Sequence, residues 1–541
     1  MSTNDRRWLA VALLASGCTV FDHELDAQVT PPDCTTNIEC TTRLSTADTT
    51  VAAMCVKQPA AHCVALASED CTVITGDYTD DRAVLIASLL STSGAQGATN
   101  LPRQQAAIMA VEEINSTTAS GGILQSNMPG DARKLVMLSC DEAAKLPRVA
   151  THLVSQLGVT AIIGPNLSQD VLDLTTGNDA IGLPSSAKAG VSLLTPTGVA
   201  SAIATIPDNG LTFMMVPSDV QRVPLMKMQI NALETQLKAA RSKTTIKIAI
   251  YYRNDALGLG TRDGLTSLTV NGMPLATELS LGKAREDAYD PLSIDNTALV
   301  ASYVTFQPDI IVIVGAAEAV QYFTNPLETM WQAQIPSVLK PYYVAIDSTK
   351  TPNLITAVTG NDDQRLRWRG TGVTTTTETL PVLSAFQIAY GQRWKDDQGN
   401  PQPATQSGMG PAYDAVYAIA LALVGESDAS GTSMVTGLPA LATNTQACTY
   451  DAAGVLSPCF TVSDHARTLY NNMGRLLANQ PVTEIGTAGR FEWDAQGAKS
   501  SGQIEMWCIN ATGPKPIFAS SGLTYDVHLQ TLTGAYVQCA P

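Results

Sequence analysis

The feature that most constrains this chain is a set of short apolar runs. AVLIASLL (83–90), KLVMLSC (134–140), TAIIG (160–164) and GVSLLTP (190–196) carry little polar alternation. Such runs suit strands buried on both faces. The segments between them have helical spacing instead. LPRQQAAIMAVEEIN places Ala107, Val111 and Ile114 on one face, with Glu112 and Glu113 outward. RVATHLVSQLG spaces Val149, Leu153 and Leu157 likewise, and Gly158 supplies the stop. Strands separated by helices require a parallel sheet with right-handed crossovers. The grammar then repeats: VPLMKMQINALETQLKAA and ALVASYVTFQ read as helices, TIKIAIYY, DIIVIVG and PYYVAI as strands. A third region holds the helix PAYDAVYAIALAL (411–423) and ends in the β-rich RFEWDAQGAKSSGQIEMWCI. The fold class is therefore α/β with two lobes, each a parallel sheet flanked by helices.

The chain has 541 residues, too many for one ordinary domain, and a net charge of −16. No Lys/Arg cluster offsets that charge, so nucleic acid is excluded as a partner.

The first residues read as a targeting signal. Arg6 and Arg7 precede the ten-residue apolar run WLAVALLASG, too short to span a bilayer. The run closes at LLASGC, which resembles the lipobox of bacterial lipoproteins with Cys18 as the acylated residue. Ala15 departs from the usual leucine. The reading is a signal peptide at 1–17 and a lipid-anchored protein of the bacterial cell envelope, on a periplasmic or extracellular face. A plain secretory signal with a nearby cysteine is the other reading.

Eleven cysteines suit an oxidising compartment, and ten remain once Cys18 is set aside. Cys34, Cys40, Cys55, Cys63 and Cys71 crowd the N-terminal stretch. Residues 18–80 read as a tether and a disulfide-stapled segment. Cys448 with Cys459, and Cys508 with Cys539, are natural local pairs. One of the N-terminal five must then reach Cys140, and Cys71 is nearest. No CxxC and no Cys/His grouping supports a metal.

Catalytic patterns are missing from the sequence. Ser168 lies in PNLSQDV, without the flanking glycines of a nucleophile elbow. His152 falls mid-helix and reads as a surface residue. GLGTRDG (258–264) lacks dinucleotide spacing and no Walker sequence follows a strand. The expectation is a non-enzyme without cofactors. Binding loops are better represented. Three strand ends are small and hydroxylated: STSG (with Ser93, and Gln96 just beyond), GPNLS (with Ser168) and TPTG (Thr195 to Gly198). In open parallel sheets ligands sit outside such ends, and helix N-termini there favour anions.

Several stretches, in order, resemble type I periplasmic binding proteins of the leucine/isoleucine/valine-binding kind. They are VLIASLLSTSGAQG, AIMAVEEINSTTASGGI, LVMLSCDE, GVTAIIGPNLS, VSLLTPTGVAS, FMMVPSDVQ, QPDIIVIVG, AYDAVYAIALAL and GRFEWDAQG. The resemblance covers essentially residues 82–515. It implies two lobes, three hinge crossings and a ligand closed between the lobes. The crossings are expected near Val216–Ser218, Ile346–Asp347 and Gly486–Gly489. Lobe 1 is then 82–216 plus 347–486, and lobe 2 is 217–346 plus 487–541.

The resemblance also assigns roles. Ser168, four residues after Gly164, would bind a ligand carboxylate, and its place at a helix start also reads as a cap. Thr197 would offer its carbonyl to the amino end, within the loop of Thr195 and Gly198. Val199 replaces the hydroxyl that often follows. Leu257 stands where a tyrosine is common, and Glu318 is the acid nearest the ammonium position. Tyr413 and Asp414 read as supports of the fold. These assignments imply a solute-binding lipoprotein of an ABC importer. Its ligand would be a small carboxylate, an amino acid or related, and its partners the permease subunits and, through the anchor, the membrane. The alternative is an envelope regulator or sensor using the same fold, towards which the cysteine-rich extension leans.

Overall fold

The computed structural model describes residues 33–537 except 58–59, 117–120, 129, 143–144, 445, 453, 455, 463–465, 511–512 and 514. The signal segment 1–17, Cys18 and Cys539 lie outside the described residues.

The expected runs form one six-stranded sheet. Its order is Thr212–Met214, Ser192–Thr195, Ala161–Ile163, Val84–Leu90, Leu135–Asp141 and Cys71–Thr75. The first five are parallel, with Ile86 opposite Ala161 and Leu90 opposite Asp141. Every residue of Val84–Leu90 is buried, as an unalternating run demands. Cys71–Thr75 is antiparallel to Leu135–Asp141 and closes that edge. Its residues thus belong to the first lobe, beyond the stapled segment in which the sequence placed them.

Helix Gly97–Ser116 covers one face of this sheet and packs against Met409–Ala422, a helix buried along its whole length. Ala107, Val111 and Ile114 point into that core as expected. Glu113 does not point outward. Its Oε2 accepts from Tyr413 at 2.5 Å and Tyr417 at 2.9 Å, so two phenols hold the carboxylate at the core's margin. On the other face, 146–150 is α-helix and Thr151–Leu157 continues as π-helix, stopped by left-handed Gly158. His152 is buried there, not on the surface: one ring nitrogen lies 2.9 Å from the Leu66 carbonyl oxygen and the other 2.9 Å from Gln156 Oε1.

The second sheet has eight strands. Ala284–Tyr289, Ile248–Arg253, Ile310–Val314, Tyr342–Ala345 and Trp368–Thr374 are parallel. Gln503–Ile509, Phe518–Asp526 and Thr531–Gly534 extend it antiparallel. The crossing expected near Ile346–Asp347 is therefore displaced. Trp368–Thr374 pairs with Tyr342–Ala345, so the chain leaves this lobe only after Thr374. The third crossing also comes later than Gly486–Gly489. Gly497 accepts from the Met214 amide at 2.9 Å, and Trp493 donates to the Met214 carbonyl at 2.7 Å. Residues 491–499 thus line the edge of the first sheet before Gln503 enters the second.

Four disulfides are present among the described residues. Cys34–Cys55 and Cys40–Cys63 close the N-terminal module, which contains helix Asn37–Leu44 and the hairpin of Ala53–Val56 with His62–Ala65. Cys71–Cys140 staples the edge strand to its neighbour, and Cys448–Cys459 closes a surface loop, both as expected. The pairing of Cys508 with Cys539 falls outside the described residues. No helix among them is long and apolar enough to cross a membrane.

Candidate ligand site between the two sheets

The carboxyl ends of the first sheet's strands meet in one network of loops. Gly164–Pro165 is a cis peptide that ends the Ala161–Ile163 strand. Thr195 Oγ1 donates to the Pro165 carbonyl at 2.9 Å and accepts from the Gly198 amide at 2.8 Å. That hydroxyl's proton is used and Thr195 is fully buried, so it fastens one loop to the next and is closed to a ligand. Gly198 has no room for a side chain, since a Cβ would stand 2.5 Å from Thr195 Oγ1. Thr197 Oγ1 lies 2.8 Å from both the Asn166 carbonyl and its side-chain oxygen.

Ser168 opens helix Ser168–Thr176 but does not cap it. Its Oγ accepts instead from the amides of Val199 at 3.0 Å and Ala200 at 3.2 Å. Both lone pairs serve the loop, which leaves only the hydroxyl proton to donate. Ser93 and Gln96 are exposed at the start of the neighbouring loop.

Two further first-lobe residues, unnoticed in the sequence, sit in this network. Arg103, in the second turn of its helix, is buried and bonded to Asn100, Asn166 and Ser407. Burial lowers its pKa to about 10, and Asp347 of the far lobe opposes that fall. Glu142 follows strand Leu135–Asp141. Its Oε1 accepts from Ser91 Oγ at 3.1 Å, while its buried Oε2 makes no hydrogen bond among the described residues. Burial pushes this carboxyl up to about 8, with Asp170 and Asp141 adding to the rise.

Across the cleft, Arg253 ends strand Ile248–Arg253. It pairs with Asp255 at 2.6 Å and lies 3.5 Å from Glu318. Glu318 Oε1 also accepts from Tyr289 Oη at 2.9 Å and the Ala316 amide at 3.1 Å. Glu318 is thus locked in a second-lobe network. Asp170 of the first lobe feels this network: burial pushes its carboxyl up to about 6, Asp173 and Asp255 add to that, and Arg253 opposes. Ala256 packs into the apolar cluster under the first sheet, and Leu257 meets Val199. The lobes are therefore in contact at the carboxyl ends of strands from both sheets.

That two-sheet arrangement is found in solved structures. The fold is that of type I periplasmic binding proteins. The branched-chain amino acid transporter substrate-binding protein LivJ of Streptococcus pneumoniae, solved with isoleucine, superposes with a TM-score of 0.52 at 17% identity. The match covers 81% of this chain and 99% of that one. A leucine-binding protein, LivK, of Thermotoga maritima gives 0.52 at 14% identity, over 81% and 98% of the chains. A solute-binding protein of an ABC transporter from Rhodopseudomonas palustris, solved with 3,4-dihydroxybenzoic acid, gives 0.51 at 12% identity, over 82% and 98%. No family model and no curated protein sequence matches the chain.

With this periplasmic-binding-protein fold in view, the expected site residues separate. Ser168, Thr197 and Gly198 lie in one first-lobe loop network braced by Thr195, and Leu257 of the second lobe reaches it at Val199. Glu318 lies on the opposite wall, already engaged.

Proposed function

We propose that this chain is the extracytoplasmic solute-binding component of an ABC importer, lipid-anchored through Cys18, which delivers its ligand to permease subunits. The ligand is a small carboxylate, an amino acid or related compound, enclosed between the lobes. The observation that carries this reading is the convergence of the Ser168, Thr197 and Arg103 loops on a cleft that a second lobe closes. Fold neighbours that take isoleucine and 3,4-dihydroxybenzoic acid support a carboxylate-bearing ligand. Closure then follows from the extra contacts that the ligand makes in the closed state. No catalytic step is part of this function.

One observation favours a second reading, an envelope regulator or sensor on the same fold. The disulfide-closed module packs on the outside of the first lobe, and the segment that follows it, Ser68 to Asp70, lines a cavity of about 360 Å³ with Arg148 and His152. A thermal-shift screen with isoleucine, leucine and 3,4-dihydroxybenzoate, paired with small-angle scattering, separates the two. Binding to the folded state raises the melting temperature, and closure lowers the radius of gyration. No shift and no compaction with any of the three would sink the importer reading in favour of the regulator.

A further inference from the structure

Arg103 is a buried cation without an anion. Its Nε donates to the Ser407 carbonyl at 2.7 Å, and its Nη1 donates to Asn100 Oδ1 at 2.7 Å and to Asn166 Oδ1. Nη2 makes no hydrogen bond among the described residues, and none of their carboxylates lies within 4.0 Å of the guanidinium. Other enclosed arginines are provided for differently: Arg369 donates to the Leu366 and Trp368 carbonyls, Arg365 lies 3.3 Å from Asp362, and four more pair closely with a carboxylate. Arg222 pairs with Asp347 at 2.5 Å, Arg241 with Asp309 at 2.6 Å, Arg253 with Asp255 at 2.6 Å and Arg367 with Glu328 at 2.7 Å. A guanidinium taken out of water without a counter-charge is costly, and a stable protein ordinarily pairs it or removes it.

The surroundings say where the missing charge belongs. Asn166 Oδ1 is shared by Arg103 and Thr197, and Ser168 lies two residues further along the same loop. Gly408, with φ +86°, presses against both partners: a Cβ there would stand 2.7 Å from Arg103 Nε and 2.5 Å from Thr197 Cγ2. The carboxylate that Arg103 does sense, Asp347, is on the second lobe and already holds Arg222. Arg103 therefore lies in the first-lobe loop network on the side of Asp347, where the solute-binding reading puts the ligand.

We infer that Arg103 is the charge partner of an anionic group on the cleft's ligand, a carboxylate, with Ser168 contributing a single hydroxyl proton. This assignment rests on the solute-binding reading above. It gives the site a preference for acids over their uncharged amides. A guanidinium with a free nitrogen matches a carboxylate oxygen with a charge-assisted hydrogen bond, and an amide forfeits the charge.

The test uses the full chain, its R103Q and R103K variants, and two matched probe pairs: isoleucine with isoleucinamide, and 3,4-dihydroxybenzoate with 3,4-dihydroxybenzamide. Calorimetry should give acid over amide by about 100-fold in at least one pair for the native chain. R103Q should lose most of that ratio, and R103K should keep part of it. The ligand-free melting temperature supplies a second readout. Removing an unpaired buried cation should leave it unchanged or raise it in R103Q. An acid-to-amide ratio that survives in folded R103Q overturns the assignment. If no probe binds the native chain, the carboxylate-importer reading fails on its own account. The ligand-free melting point then decides Arg103: a marked fall in R103Q makes it a structural residue and overturns the inference, while a rise upholds it as an unmet charge.

Discussion

Val199 and Leu257 lie in one apolar cluster with Val216, Val373 and Ala488. Val199 comes from the first lobe and Leu257 from the second, and the other three residues lie at or beside the three crossings. The positions where polar ligand partners were expected thus form a hydrophobic latch at the hinge. Under the proposed solute-binding function, closure would bury this patch instead of pairing two polar groups. Single Val199→Ala and Leu257→Ala changes should each cost about 1–2 kcal/mol, because neither leaves a full-sized core cavity. Their double mutant should show a coupling of about 0.5–1 kcal/mol in urea denaturation. Strict additivity would show that the two side chains do not act together.

Ser168→Ala removes the acceptor of two buried amides, those of Val199 and Ala200. Leaving them unmet should cost about 1–3 kcal/mol of stability before any ligand is considered. A loss of ligand affinity beyond that would report the hydroxyl proton. Affinity unchanged, with only the melting point lowered, would reduce Ser168 to a loop tie.

Gly260 marks how closely two second-lobe helices approach beside Asp219, whose carboxylate accepts from the Ser201 amide of the first lobe at 3.0 Å. A Cβ there would stand 2.2 Å from Asp219 Oδ2 and 3.4 Å from Ser201 Oγ. Helix Ala256–Gly264 can reach the Asp219 turn only without a side chain at this point. Gly260→Ala should push the Asp219 carboxylate off the Ser201 amide across the lobes, read as a larger radius of gyration by scattering and weaker ligand binding. An unaltered scattering curve would show that the contact yields.

Glu142 makes stability depend on pH. Its folded carboxyl titrates at about 8, above the ordinary value of 4.5, because it is buried. Over that interval the folded chain holds a proton that the unfolded chain releases. Stability should therefore fall as pH rises from about 5 to about 8. Asp170 and Asp219, each raised to about 6, act in the same direction at lower pH. Glu142→Gln should flatten the upper part of the fall in melting temperature. Parallel wild-type and variant curves across that range would contradict the assignment.

The doubly buried strands were legible because an apolar run without alternation has few other solutions. Trp368–Thr374 was not, since WRGTGVT mixes charge, glycine and threonine. It earns its place by pairing with Gln503–Ile509, more than a hundred residues away. That non-local partner moved the second crossing. The site divides the same way. Ser168 and Thr197 were visible because strand-end loops have a local grammar. Arg103 reads as an ordinary surface residue within LPRQQ, and only Ser407, 304 residues downstream, closes over it. Glu142 is likewise plain within CDEAA. Its burial comes from Ser91 and Asn166, which belong to the two adjoining strand ends.

The antiparallel extension of the second sheet sets an order on synthesis. The first sheet draws only on residues 71–214, but its covering helix Met409–Ala422 is made some two hundred residues later. The edge of Trp368–Thr374 stays open until Gln503–Ile509 is made, more than a hundred residues later. Neither half can finish alone, so the growing polypeptide stays unfinished until residue 509 is in place. A chain cut short at residue 500 would present an unpaired strand edge, a template for aggregation in place of a working half.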